Sequence, residues 1–160
     1  MGQEESDKLL DLFRKESVEY KLFEHEPVYT SEQASKVRNV ALKSGVKAMV
    51  LKTLEGKYIL IDVAADRKID FGKLEKTVLK TKHLRFATRE EVINVTRCEP
   101  GSVHPFGRLF GLETLLDKSV LENERVNFNI GLVTKSVQIS CNDLVRVLKP
   151  DVTSDFSKIT

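Results

Sequence analysis

Two apolar runs near the middle of the chain leave little freedom to the fold. Lys47-Ala48-Met49-Val50-Leu51-Lys52 and Tyr58-Ile59-Leu60-Ile61-Asp62-Val63 are joined around Glu55-Gly56. The second run is almost entirely β-branched, aromatic or leucine, which suits a strand buried on both faces, and the glycine-bearing connection suits a hairpin. Such a hairpin must lie at the centre of a domain, covered by other elements. With 160 residues the chain is one domain long. A chain of that length buries about 70% of the surface its unfolded form exposes, so the required core is attainable.

The flanking segments supply the cover. Leu9, Leu10, Leu12 and Phe13 recur at helical spacing, which predicts a helix over 7–16, and Tyr20 to Phe23 reads as a short strand. Thr30-Ser31-Glu32-Gln33 is a capping box that opens a helix to about Val37. Asp70 caps a helix through Val78, Leu84 to Ala87 is a brief strand, and Thr88-Arg89-Glu90-Glu91 is a second capping box, for a helix to about Val95. Strands follow at 112–116, 125–130 and 135–139, then a helix from Asp143 to Leu148 behind Ser140, stopped by Pro150. Strands and helices interleave, so the expected class is α/β: a single domain with a mixed, mostly antiparallel central sheet, partly barrel-like, flanked by short helices. Its expected extent is 1–150, with 151–160 a loose polar tail.

Charge is distributed unevenly. Residues 1–32 hold nine acidic and four basic side chains, 36–52 hold five basic and no acidic ones, and 67–89 hold eight basic against two acidic. A basic belt of this kind fits a nucleic-acid partner, and it fits a solvated surface equally well. No apolar run approaches the roughly 18 residues that cross a bilayer, so no membrane is expected. Cys98 and Cys141 have no Cys or His neighbour at zinc-like spacing, which points to a reduced, cytoplasmic compartment and to no metal. Phosphate-binding glycine loops, His-Glu-x-x-His and Gly-x-Ser-x-Gly are all missing. Chemistry in this chain therefore falls to backbone groups, a lysine or the substrate itself, with no cofactor called for.

The segment Cys98-Glu99-Pro100-Gly101-Ser102-Val103-His104-Pro105-Phe106-Gly107 holds two of the four prolines and two of the eight glycines. Prolines at 100 and 105 stiffen it, while Gly101 permits positive φ or the close approach of a ligand. It reads as a stiff turn or as a rigid display of N–H and C=O groups. These residues resemble the glycine–proline loop of the YbaK/ProX aminoacyl-tRNA deacylases, which are similar to the editing insertion domain of bacterial prolyl-tRNA synthetases. Tyr20, His25 and Thr30 resemble the family's N-terminal stretch. Lys47 stands where the family carries its lysine, and Asn129-Ile130-Gly131 with Val137 to Leu144 resembles its closing strand pair and helix. The likeness spans roughly 8–148. Arg97 and Ser102 stand where the family often has glycine, and His104 where a proline or small residue is common.

The resemblance implies hydrolysis of the ester joining an amino acid to the terminal adenosine of tRNA, in trans, with alanyl- or cysteinyl-tRNA of the proline type as substrate. Lys47 then contacts the terminal phosphate, and Gly101, Ser102, Val103, His104 and Pro105 form the loop that orients carbonyl and water. Tyr20, His25, Thr30, Met49, Phe106, Asn129 and Gly131 are the expected substrate-binding residues. The partners implied are the acceptor end of an aminoacyl-tRNA and a prolyl-tRNA synthetase. For several of these residues a plainer role is open: Lys47 can snorkel at a strand edge, Thr30 can serve only as a cap, and His104 can be a base, a specificity contact or a bystander. The alternative for the whole chain is a catalytically silent homologue that binds tRNA ends or a synthetase.

Overall fold

The two apolar runs form the centre of the molecule in the computed structural model, which describes residues 1–160. In chain order the elements are α1 (Gln3–Lys15), β1 (Lys21–Glu24), α2 (Ser31–Arg38), β2 (Val46–Lys52), β3 (Tyr58–Ala64) and β4 (Arg67–Ile69). Then come α3 (Phe71–Lys73), running into a π turn at Leu74–Val78, followed by β5 (Arg85–Phe86), α4 (Arg89–Thr96) and β6 (Glu113–Asp117). The chain ends with β7 (Arg125–Asn129), β8 (Lys135–Ser140), α5 (Cys141–Leu148), β9 (Val152–Ser154) and β10 (Ser157–Ile159).

β2 and β3 pair antiparallel along their full length, from Val46 opposite Ala64 to Lys52 opposite Tyr58. They belong to a five-stranded sheet of order β5-β2-β3-β6-β9, in which β6 runs parallel to both β3 and β9. A three-stranded sheet, β1-β8-β7, and a two-stranded one, β10-β4, complete the fold. The class is therefore a single α/β domain with mixed sheets. The barrel-like closure expected from the sequence does not occur, because the strands divide among three separate sheets. Six of the seven residues of β3 are buried, so both of its faces are covered. One face joins Ile59, Ile61 and Val63 to Leu51, Leu115 and Phe156, while Leu60 on the other packs with Val50 and Val103. A third and larger cluster places Leu9 and Phe13 of α1 against Phe106, Phe128 and Leu144.

Local sequence explains the short helices. The Thr30 side chain accepts from Gln33 N–H at 3.1 Å, while the Gln33 carboxamide accepts from Tyr29 N–H, one residue earlier than a standard box. Thr88 and Glu91 form the full reciprocal box of α4. Two expectations are corrected. The first helix starts at Gln3 rather than Asp7. The tail is ordered: β9 extends the large sheet beside β6, β10 pairs with β4, and Phe156 between them is fully buried.

One gap in the sheet positions the site. β5 covers β2 only at Leu51 and Lys52, which leaves the edge of β2 over residues 46–49 without a strand partner. A parallel bridge from Gly45 to Asn127 brings the middle of β7 up to the start of this edge. α2 lies opposite, and a cavity remains between them.

Candidate functional site

The cavity measures about 250 Å³. α2 and the residues before it contribute Thr30, Ala34 and Arg38, and the open edge of β2 contributes Lys47, Ala48 and Met49. Gly101, Val103 and Asn129 complete it. No aspartate or glutamate lines it, so its two cationic side chains, Arg38 and Lys47, set its charge.

Lys47 is half-buried, and its ammonium donates to the Arg67 carbonyl oxygen. Burial lowers its pKa, against the opposing fields of Glu32 and Asp66. Lys47 lines the cavity, and its ammonium, anchored on that carbonyl, keeps two of its three donors uncommitted within the chain.

The loop after α4 is held by its own backbone. Arg97 closes that helix with φ 61°, a left-handed position that glycine occupies at no cost, and Gly101 follows with φ 89°. Ser102 turns back on Glu99, whose carbonyl accepts from both its N–H (3.0 Å) and its hydroxyl (2.7 Å). The Ser102 carbonyl accepts from Gly131 N–H at 2.7 Å. The N–H groups of Gly101, Val103 and His104 have no partner in the chain. Of these residues Gly101 and Val103 line the cavity, and uncommitted donors there are what an oxyanion or carbonyl requires.

Asn129 ties the loop to the opposite wall. Its Nδ2 donates to the Gly101 carbonyl at 2.9 Å, and its Oδ1 accepts from Arg38 Nη2 and from Ser136 Oγ, each at 2.8 Å. Ser136 Oγ lies 2.7 Å from His25 Nε2, so a polar chain runs from His25 through Ser136 and Asn129 to Arg38 and the loop.

Of the expected site residues, Lys47, Thr30, Met49, Gly101, Val103 and Asn129 line the cavity. His25 reaches it only through Ser136. Ser102 and Gly131 brace the loop from behind, Phe106 lies in the core against Phe13, and Tyr20 packs on Phe13 at the surface. Pro105 shapes the bend without lining the cavity. His104 is the main departure. Its ring is fully buried, stacks on Phe110 (centroids 4.4 Å apart) and lines a different, smaller cavity. Its Nδ1 accepts from Phe106 N–H at 3.1 Å, so the proton of the neutral ring sits on Nε2. Burial pushes its pKa down to about 3. Its side chain is thus no base for chemistry in the large cavity. The sequence reading missed the rest of the lining, among it the exposed Tyr29 and the buried Arg38. Arg38 gave no signal, because a basic residue in the last turn of a helix reads as a partner of the helix dipole.

Comparison with known proteins finds relatives over most of the chain. The aminoacyl-tRNA editing domain family model matches residues 25–147. A multifunctional Ser/Thr-tRNA deacylase, ProXp-y, of Escherichia coli (strain K12) is 28% identical over 155 residues, covering 94% of this chain and 92% of that protein. The prolyl-tRNA editing protein ProX of Acetoanaerobium sticklandii is 29% identical over 137 residues, covering 82% and 83%. A solved structure of a proposed trans-editing enzyme for prolyl tRNA synthetase shares the fold, with a TM-score of 0.82 at 22% identity over 96% of this chain and 97% of that one. No helix is long and apolar enough to cross a membrane.

Proposed function

We propose that this chain, which belongs to the aminoacyl-tRNA editing domain family and is an aminoacyl-tRNA deacylase, acts in trans on mischarged tRNA in the cavity between α2 and β2. The observation that carries this reading is the placing of Lys47 and the Gly101–Val103 bend on one cavity whose lining has no carboxylate.

In this reading Lys47 takes a phosphate oxygen of the terminal nucleotide, and the free N–H groups of the bend take the ester carbonyl. Water adds to the carbonyl carbon, the N–H groups stabilise the oxyanion, and the acyl–oxygen bond breaks as the ribose oxygen accepts a proton. An adjacent ribose hydroxyl relays that proton, as the family resemblance implies. One oriented donor contributes about 3–4 kcal/mol, and positioning contributes more, so an activated ester needs no side-chain nucleophile. A shallow groove that shares Ser35, Val40 and Ala41 with the cavity carries Lys36 and suits the acceptor stem, with or without a prolyl-tRNA synthetase holding the tRNA. The small side chains of the lining admit alanyl, cysteinyl, seryl or threonyl groups.

The test is a panel of aminoacylated tRNAs incubated with the protein and with Lys47→Ala, whose fold is checked by circular dichroism. Release of amino acid from at least one tRNA, slowed about a hundredfold or more in the variant, supports the reading. Binding of tRNA without release across the panel overturns it and identifies a silent homologue.

A further inference from the structure

Arg38 ends α2 with its guanidinium turned into the molecule, and only 8% of the residue is exposed. No carboxylate forms an ion pair with it among the salt bridges of the fold. Nη2 is committed to Asn129 Oδ1, and Nε is sealed from solvent without a partner. Nη1 makes no hydrogen bond and lies beside Gly45, where an added methyl carbon would stand 4.0 Å away. Burial lowers its pKa to about 10, so it stays charged at neutral pH. A buried cation without a counter-ion is costly, and such groups gather where a ligand supplies the missing partner.

The two cations of the cavity are placed for different tasks. Lys47 is the more exposed, is anchored on the Arg67 carbonyl and suits a phosphate. Arg38 is the more buried, lies beside Gly45 and shares a lining with the small side chains of Ala34 and Ala41, which suits the smaller aminoacyl end of the substrate. An alkyl group beside Nη1 would strip it of water and return nothing, whereas a hydroxyl oxygen would accept its hydrogen bond. Sites that separate ligands by size alone discriminate weakly, while sites that present a committed donor reject the analogue lacking the acceptor.

Resting on the deacylase reading, we infer that Arg38 reads the aminoacyl side chain, donating from Nη1 to a hydroxyl oxygen, so that the site favours hydroxyl-bearing amino acids over alkyl ones of similar size. Asn129 holds the guanidinium in the orientation that leaves Nη1 free.

The experiment measures binding, by calorimetry, of two non-hydrolysable probes: 3′-amino-3′-deoxyadenosine acylated through an amide with serine or with alanine. The native protein is expected to favour the seryl probe by about tenfold or more. Arg38→Met brings the two probes within about twofold of each other, and Arg38→Lys keeps part of the preference. Arg38→Gln, which keeps a polar head but is too short to place a donor where Nη1 stands, is the second variant should Arg38→Met not fold. It is expected to weaken the seryl probe selectively. Equal weakening of both probes, or a native preference for the alanyl probe, overturns the inference. Because the probes are amides and the readout is binding, absence of ester hydrolysis would sink the deacylase reading without altering the measured preference between them.

Discussion

Asn129 fixes the Gly101 carbonyl from 28 positions further along the chain, through a 2.9 Å hydrogen bond from Nδ2. The same side chain accepts from Arg38 and Ser136, so its loss takes the partner from Arg38 Nη2 and from the Gly101 carbonyl and leaves Ser136 with His25 alone. A buried polar group left unpaired costs about 1–3 kcal/mol. Asn129→Ala is therefore expected to lower stability by about 2–5 kcal/mol in urea unfolding, and to slow deacylation at least tenfold under conditions where it remains folded. Asn129→Asp keeps the acceptor for Arg38 and Ser136 and loses only the donor to Gly101. It should recover most of the stability and little of the rate. Equal recovery of both would mean that the Gly101 contact does not set the loop.

Asp62 presents the opposite situation, a polar group with nothing to bond. It lies in the middle of β3, between Ala48 of β2 and Leu116 of β6, and neither carboxyl oxygen has a partner or any solvent contact. Burial raises its pKa well above the usual carboxylate value of 3.8. The native state thus binds more protons than the unfolded state as pH rises past that value, and its stability declines with pH. Asp62→Val removes this decline. The variant should be more stable than the parent, by about 1–3 kcal/mol, with the gain larger at pH 8 than at pH 4. A gain that is flat with pH would show that the fold does not raise the pKa of this carboxyl.

His104 slopes stability the other way. Its folded-state pKa of about 3 lies below the ordinary 6.5, so between those values the unfolded state binds the extra proton. The contribution is fully present above pH 6.5 and is lost as pH falls, by up to about 1.4 kcal/mol per pH unit. His104→Asn keeps an acceptor within reach of Phe106 N–H and abolishes the titration. The parent-minus-variant difference in stability, measured from pH 7 to pH 4, should therefore fall steadily. The pH profile of deacylation should keep its shape, because the imidazole points away from the large cavity. Loss of the acid limb in the variant would return His104 to the chemistry.

What the sequence disclosed and what it hid divide along one physical line. Capping boxes at Thr30 and Thr88 and the apolar runs of β2 and β3 are local signals, and each produced the element expected of it. The loop from Cys98 to Gly107 was legible as a shape, since proline and glycine act on the backbone directly. Side-chain direction within it was not: Val103 reaches the cavity and His104 turns its back, an outcome decided by Phe106 N–H and the face of Phe110. Arg38 was hidden for a related reason, because its meaning comes from Asn129, a residue 91 positions away. β9 and β10 have three residues each, and edge strands that short are set by the neighbour they pair with rather than by intrinsic preference.

That last point can be tested at Phe156. It packs among Leu51, Ile59, Ile61 and Leu115, on the face of the central hairpin away from Val103. Its N–H donates to Asp117 Oδ1 at 2.8 Å, and its carbonyl accepts from Asp70 N–H at 2.8 Å. Asp117 also accepts from the Ser157 hydroxyl at 2.7 Å, so one buried carboxylate holds the turn between β9 and β10. Truncating a fully buried phenylalanine costs about 3–5 kcal/mol. Phe156→Ala should lower stability by that amount in urea unfolding with an unchanged slope, since the surface exposed on unfolding barely differs. Deletion of residues 151–160 should cost at least as much, because it also uncovers the edge of β6 and the carboxylate of Asp117. A tail that was merely loose would leave the midpoint of both variants within a few tenths of a kcal/mol of the parent.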